Sequence, residues 1–231
     1  MVVQGHETTL PVTLDEMVYH TRLVTRGARR ALVVGDLPFG AYQADRTKAV
    51  EASIRLVKEG GAQAVKLEGG LTMADTIEAI ASIDVPVMGH VGLTPQTATA
   101  LGGYRAQGRN AEAASRVARE AEALQAAGCF SIVFEAIPSA VAEAIMPKMQ
   151  IPVIGIGAGP STDGQVLVFH DLLGIRHGRG AKFVKRYADL LDEMVAGVAA
   201  YAADVRERRF PGPEHGYTMH PEELERFRRD W

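Results

Sequence analysis

Short apolar runs recur along this chain, and each gives way to a chemically able residue at its C-terminal end. Ala31-Leu-Val-Val-Gly35 leads into Asp36, and Ala64-Val65 into Lys66-Leu67-Glu68. Val85-Pro-Val-Met-Gly89 leads into His90, and Ser131-Ile-Val-Phe134 into Glu135. These runs predict strands at 31–35, 64–68, 86–90 and 131–135, with another at 151–156. A last strand is expected at 165–169, whose continuous β-branched and apolar run suits burial on both faces. Helix signals fill the intervals. Thr13-Leu-Asp-Glu16 reads as a capping box and Gly27 as a stop, giving a helix over 14–26. Asp45 opens a helix to about residue 59, closed by Gly60 and Gly61. Thr72-Met-Ala-Asp75 caps a helix to about residue 83. A glycine-bearing loop at 92–109 precedes a helix at 111–127, and a further helix is expected at 139–149. A long amphipathic helix is expected at 181–208, and Glu222-Glu-Leu-Glu-Arg-Phe-Arg-Arg229 reads as a solvated helix.

Strand–helix alternation of this kind predicts a parallel sheet. Charged groups confined to the C-terminal strand ends predict an α/β, (β/α)8 TIM-type barrel, whose active site occupies that face. The count is about six strands where a closed barrel has eight. The chain opens with a polar loop and a helix, so the barrel is expected to be incomplete at the N-terminus. Two absent βα units amount to about 60 residues, expected before Met1. The alternative is a smaller open α/β sheet. Residues 1–210 read as one partial barrel domain, and 211–231 as a charged tail.

At 231 residues the chain suits a single sizeable core. A net charge of −3 offers no electrostatic case for a nucleic-acid partner. No stretch approaches the roughly 18 apolar residues that span a bilayer, and the start lacks the segments of a signal peptide. The single cysteine, Cys129, excludes an intramolecular disulfide and a Cys-rich metal site. Its apolar setting reads as a buried structural thiol, and one thiol fits a reducing cytoplasm.

The strand-end residues suggest a metal-assisted reaction on a small oxyacid. Asp36 is aimed at the sheet mouth by the turn that Pro38 and its flanking glycines impose. It reads either as a ligand to a hard dication such as Mg²⁺ or as a turn cap bonding nearby amides. Lys66 and Glu68 are two apart and share one face. They are either a mutual ion pair, or a substrate-carboxylate contact (Lys66) beside a metal ligand (Glu68). His90 is either a satisfied buried polar group or a donor to an anionic intermediate. Glu135 has apolar flanks that should raise its pKa, which suits a general base; the alternative is a carboxylate paired with a Lys or Arg. Ile154-Gly-Ile-Gly-Ala-Gly159 fits close backbone approach to a bulky ligand better than a phosphate nest, and a phosphate nest better than a dinucleotide fingerprint.

Several stretches occur in an order that closely resembles the ketopantoate hydroxymethyltransferase family. They are Gln4-Gly-His-Glu-Thr-Thr-Leu-Pro-Val-Thr13, Gly35-Asp-Leu-Pro-Phe39, Val65-Lys-Leu-Glu-Gly-Gly70, Gly89-His-Val-Gly-Leu-Thr-Pro-Gln96, Gly102-Gly-Tyr-Arg-Ala-Gln-Gly-Arg109, Phe134-Glu-Ala-Ile-Pro138 and Pro152-Val-Ile-Gly-Ile-Gly-Ala-Gly159. Asp163-Gly-Gln165, His170-Asp171 and Pro211-Gly-Pro-Glu-His215 continue the series. The resemblance covers about residues 3–215 and implies a (β/α)8 barrel acting in pantothenate and coenzyme A biosynthesis. It implies transfer of a hydroxymethyl group from 5,10-methylenetetrahydrofolate to 3-methyl-2-oxobutanoate through a Mg-stabilised enolate, giving 2-dehydropantoate. By motif, Asp36 and Glu68 correspond to Mg²⁺ ligands, Asp36 and Lys66 to substrate contacts, Glu135 to the proton acceptor and His90 to an accessory residue. A cytoplasmic homo-oligomer is implied as well.

The departure is at the front. The family's Gly-Asp-Ser stretch, whose Asp is a metal ligand and whose Ser contacts substrate, has no match here. The expectation is either a start codon set too late or a short form with impaired activity or a structural role. A competing enzyme class is a Mg²⁺-dependent carbon–carbon lyase of the phosphoenolpyruvate mutase and isocitrate lyase type. Met88 stands where some of those enzymes carry a catalytic cysteine.

Overall fold

Local caps set the element boundaries in the computed structural model of the chain, which describes residues 1–178 and 180–231. The Thr13 amide donates to Glu16 Oε2 at 2.7 Å, and the Glu16 amide returns a bond to Thr13 Oγ1 at 3.3 Å. This closed capping box starts helix α1, Leu14–Gly27. Strand β1 is Val34–Asp36. Helix α2, Arg46–Lys58, begins where the Asp45 carboxylate accepts from the Thr47 amide. Strand β2, Ala64–Lys66, is followed by helix α3, Ala74–Ala81, and strand β3, Val87–Gly92. Asn110 caps helix α4, Ala111–Ala126, which leads to strand β4, Cys129–Glu135. Helix α5 is Ser139–Ile145, strand β5 is Val153–Ile156 and strand β6 is Gly164–Gln165. Helices α6, Phe169–Leu172, α7, Leu190–Arg206, and α8, Pro221–Asp230, complete the order.

Among the described residues, six strands form one sheet in sequential order, and every neighbouring pair is parallel. This α/β arrangement is that of an incomplete TIM-type barrel. In parallel strands side chains alternate between the two faces. On the helix-facing side, Val65, Leu67, Val87, Ile132 and Phe134 are fully buried. They pack in one core with Leu56 of α2, Ile77 and Ile80 of α3 and Leu124 of α4. The same alternation turns Asp36, Lys66, Glu68, His90 and Glu135 to the opposite face. Cys129 is a free, buried thiol within this core, and burial pushes its pKa up to about 12.

The chain divides into two compact units. One holds Met1–Phe169 with a short segment ending at Lys185; the other holds His170–Gly178 and Arg186–Trp231. The sheet and its core lie in the first. In the second, the amides of Leu190 and Leu191 bond the carbonyls of Leu173 and Gly174. These bonds satisfy first-turn donors, which every helix start leaves open, and α7 starts there. Residues 181–189 are largely irregular backbone with one turn, instead of the first turns of a helix over 181–208.

Two other local expectations change. The run at 165–169 pairs through Gly164 and Gln165 only, with one more bond from the Val166 amide to Gly155. Among the described residues β6 has a strand neighbour on one side alone, and Val166, Val168 and Phe169 are exposed, not buried on both faces. Thr72 sits in a 3-10 turn, and α3 starts after Met73 with no side-chain cap.

Gly92 joins the fold to the site. It closes β3 at φ +95°, and a Cβ there would run into the Glu135 carbonyl oxygen and the Ile137 side chain. Gly92→Ala is therefore expected to destabilise the protein by roughly 2–4 kcal/mol, combining left-handed strain with overpacking. Chemical denaturation measures this; a change within ±0.5 kcal/mol, the range of a neutral surface substitution, contradicts the close approach.

Candidate active site

Sheet register sets the side chains that project from the strand ends. Asp36 ends β1 directly opposite Lys66, which ends β2. The Leu37 amide donates to the Lys66 carbonyl, so the chain turns away only after the carboxylate is placed. Pairing continues past β2, where Leu67 and Gly69 donate to the Met88 and His90 carbonyls and hold Glu68 beside β3. His90 pairs with Val133, and Glu135 with Gly92, at the end of β4. All five residues singled out by the sequence thus meet at one mouth.

They form a chain of close contacts. Lys66 Nζ lies 2.8 Å from Asp36 Oδ1, 4.0 Å from Glu68 Oε1 and 3.4 Å from His90 Nδ1. His90 Nδ1 is 3.9 Å from Glu68 Oε1, and its Nε2 is 3.1 Å from Glu135 Oε2. The short ion pair of Lys66 is with Asp36, not with Glu68. Asp36 Oδ1 is buried and, although close to the ammonium, has no aligned hydrogen bond. Among the described residues no backbone amide bonds this oxygen, which argues against a turn-cap role for it. His90 Nε2 is likewise buried near Glu135 without hydrogen-bond alignment. Exposure grades from Asp36 at 39 % through Lys66 at 18 % and Glu135 at 14 % to Glu68 and His90 at 4 %. Asp36 is at the open side and His90 at the floor.

Burial governs the protonation states. It raises the Glu135 pKa to about 7 against the pull of Lys66, as the apolar flanks predict, and the Asp36 charge adds to the rise. Glu68 is also pushed up to about 7 by burial, although Lys66 and the Gln96 amide favour its charge. His90 is driven down to about 3 by burial and then by the Lys66 charge, so it is a neutral imidazole. Its contact with Glu135 is therefore not an ion pair. An ammonium cannot accept, so Nδ1 accepts from Lys66 and Nε2 carries the hydrogen. Burial opposes the charge on Lys66, yet Asp36 and Glu68 more than offset it and hold the ammonium above the ordinary lysine range.

The donor set fits a hard dication. Among the described residues no three His, Cys, Asp or Glu side chains form a ready-made cage. Mg²⁺ takes one or two carboxylates and fills its octahedron with substrate oxygens and water. Asp36 and Glu68 are two such carboxylates, one with a buried oxygen that lacks a hydrogen bond. Asp36, Glu68 and Glu135 stand against a single ammonium, an excess of acids over cations that a bound dication would offset.

Two residues to which the sequence reading gave no role stand behind Glu68. The Tyr42 hydroxyl and the Gln96 amide link Glu68 to Leu37. Gln96 lay in a stretch that carries the resemblance; Tyr42 had no signal beyond being an aromatic residue with a polar tip in a loop. A cavity of about 230 Å³ is lined by Glu68 together with Gly70, Met73, Gly92, Arg116 and Glu120. It reaches neither Asp36, Lys66, His90 nor Glu135, so the mouth is defined by the side-chain cluster and not by this cavity. The glycines at 155–159 meet the chain itself. A Cβ at Gly155 would strike Thr162, one at Gly157 the Phe183 ring and one at Gly159 Ser139.

Comparison with known proteins agrees with this geometry. The family profile described as ketopantoate hydroxymethyltransferase matches residues 1–213. A 3-methyl-2-oxobutanoate hydroxymethyltransferase of Oleidesulfovibrio alaskensis is 53 % identical over 98 % of this chain and 78 % of its own length. The protein of the same name from Enterococcus faecalis is 49 % identical over 98 % of this chain and 82 % of its own. That from Magnetococcus marinus is 52 % identical over 94 % of this chain and 81 % of its own. A solved structure from Burkholderia cenocepacia J2315 aligns at 15 % identity with a TM-score of 0.48, over 85 % of this chain and 79 % of that one. The ordered motifs, the parallel strand ends and the matches across nearly the whole chain lead to one conclusion: this chain belongs to the ketopantoate hydroxymethyltransferase family, a family of transferase enzymes.

Proposed function

We propose that the chain transfers a hydroxymethyl group from 5,10-methylenetetrahydrofolate to 3-methyl-2-oxobutanoate, giving 2-dehydropantoate, with Mg²⁺ held by Asp36 and Glu68. The observation that carries this reading is the buried cluster at the strand ends, in which Lys66 lies 2.8 Å from Asp36 and 4.0 Å from Glu68, and His90 lies 3.1 Å from Glu135. When bound, the dication supplies Lewis-acid polarisation of the keto acid's oxygens, a contribution of several kcal/mol. The Lys66 ammonium binds the substrate carboxylate. Glu135, ionised, accepts the proton from C3 of the keto acid, and its pKa suits that task near neutral pH. The His90 Nε2–H, close to Glu135 and free of an aligned partner, donates to the enolate oxygen as charge develops there. The C3 carbon then bonds the one-carbon unit, water supplies the hydroxyl, and both carbon–nitrogen bonds to the folate break, so that tetrahydrofolate leaves with the proton taken up by Glu135 and one from water. A cytoplasmic homo-oligomer belongs to the same reading. It is supported by membership of the family alone.

Glu135→Gln is expected to lower turnover by about 10²–10⁴-fold, the usual share of a general base. The KM for the keto acid should stay within a few-fold. Because the base must be ionised, wild-type kcat/KM should rise with pH through an apparent pKa near 7. Steady-state kinetics tests both, and retained turnover removes Glu135 from the role.

The same substitution should act oppositely on stability. A pKa raised in the folded state means that the native protein binds the extra proton between about 4.5 and 7. Stability from this group is therefore present at low pH and lost as pH rises through 7. Glu135→Gln should stabilise the protein at pH 8 by up to about 3 kcal/mol and have little effect at pH 4.5. Thermal unfolding at the two pH values measures it. Destabilisation at pH 8 would instead mark Glu135 as a structural ion-pair partner.

Asp36→Ala should raise the Mg²⁺ concentration needed for half-maximal activity by at least about tenfold, since even indirect metal contacts are worth that much. An unchanged metal titration refutes the assignment.

A further inference from the structure

Glu68 and Asp36 leave different strands, yet a dication held by both needs them at a fixed separation. Mg²⁺ demands near-ideal octahedral geometry, so displacements of a few tenths of an ångström weaken binding. Sheet pairing places the two backbones, Asp36 opposite Lys66 and Glu68 beside β3. A buried circuit of hydrogen bonds adds a second tie between the two exits, beyond the strands. The Tyr42 hydroxyl oxygen accepts from the Glu68 amide at 3.1 Å. It lies 2.8 Å from Gln96 Oε1 and 3.2 Å from the Glu68 carbonyl. A hydroxyl has one proton to give, and the nearer acceptor is Gln96. With its oxygen engaged by Tyr42, and by Gln43 Nε2 at 3.2 Å, the Gln96 side chain turns its Nε2 to the Leu37 carbonyl at 2.8 Å. The Gln96 backbone amide donates to Glu68 Oε2 at 2.9 Å. Tyr42 is 1 % exposed and Gln96 7 %. Polar groups buried this deeply are costly unless bonded, and here the bonds connect the exits of β1, β2 and β3.

The circuit also decides which face of Glu68 is offered. Oε2 is bound to the Gln96 amide, so Oε1 is the oxygen turned toward Lys66 and His90. We infer that Tyr42 and the Gln96 side chain are positioning residues. They hold the Asp36 and Glu68 exits together and present Glu68 to a divalent cation through Oε1 alone. The inference rests on the proposed assignment of Asp36 and Glu68 as the metal-holding pair.

The test is binding of Mn²⁺, as a probe for Mg²⁺, to the full chain without substrate, read from the loss of the free-ion electron paramagnetic resonance signal. Tyr42→Phe removes one oxygen and keeps the ring in place. Tyr42→Phe and Gln96→Leu should each weaken Mn²⁺ binding by about tenfold, the low end of the effect of residues that orient metal ligands. Ser53→Ala is the comparison for structural damage alone. Ser53 is fully buried in α2 and its hydroxyl bonds the Ala49 carbonyl. That variant should lower the melting temperature and leave Mn²⁺ affinity unchanged. Glu68→Gln tests the underlying assignment. If Glu68→Gln weakens binding and Tyr42→Phe does not, the positioning role is overturned and the metal assignment stands. If Ser53→Ala weakens binding as much as Tyr42→Phe, the role is overturned as well. Unchanged binding in Glu68→Gln overturns both. Should Gln96→Leu fail to fold, Tyr42→Phe alone decides.

Discussion

The site depends on one ammonium surrounded by acids that water does not reach freely. Lys66 touches Asp36, approaches Glu68 and His90, and also feels Glu135. In bulk water such a cluster would be three ordinary carboxylates and one ordinary amine. Behind the rim, each carboxylate is costly to ionise unless a positive charge is near, and there is one Lys66 for three acids. The shortage leaves Glu68 and Glu135 titrating near neutrality and keeps His90 uncharged. Two carboxylates poised this way are chemically useful in opposite senses: one can take a proton, and the other can exchange its proton for a cation.

The fold makes this arrangement tolerable by separating the two faces of the strands. Val65 and Leu67 flank Lys66 in sequence, and Phe134 precedes Glu135, yet all three apolar side chains are fully buried in the core shared with α2, α3 and α4. Hydrophobic burial on one face stabilises strands whose other face carries a charge cluster that does not stabilise itself. Gly92, whose φ of +95° places it against the Glu135 carbonyl, shows how closely the two requirements meet. A site of strained protonation states on a well-packed scaffold is the usual division of labour in an enzyme.

Much of this was legible in the chain. The capping box at Thr13 and the cap at Asp45 are local interactions, readable because both partners lie within a few residues. The strand-end positions of Asp36, Lys66, His90 and Glu135 follow from apolar runs that end in a charge or an imidazole, a pattern that carries its own geometry. What was not legible depends on distant partners. Lys66 pairs with Asp36 instead of its own neighbour Glu68 because strand register sets the distance, and register is not written in either segment alone. Tyr42 and Gln96 are 54 residues apart and meet only when three strand exits converge. The apolar run at 165–169 was misleading because its hydrophobicity promised two covering layers, whereas Val166, Val168 and Phe169 are exposed and, among the described residues, β6 has one strand neighbour. The start of α7 at Leu190 is fixed by carbonyls of residues 173 and 174, invisible to a reading of the helix itself.

The most direct test is a crystal structure of the chain with Mn²⁺ and 3-methyl-2-oxobutanoate, with the metal located by anomalous scattering. The account predicts a single site bridging the Asp36 and Glu68 carboxylates, with the keto acid's carboxylate at Lys66 and its C3 facing Glu135. A metal bound elsewhere, or a keto acid lying beyond reach of Glu135, would contradict it.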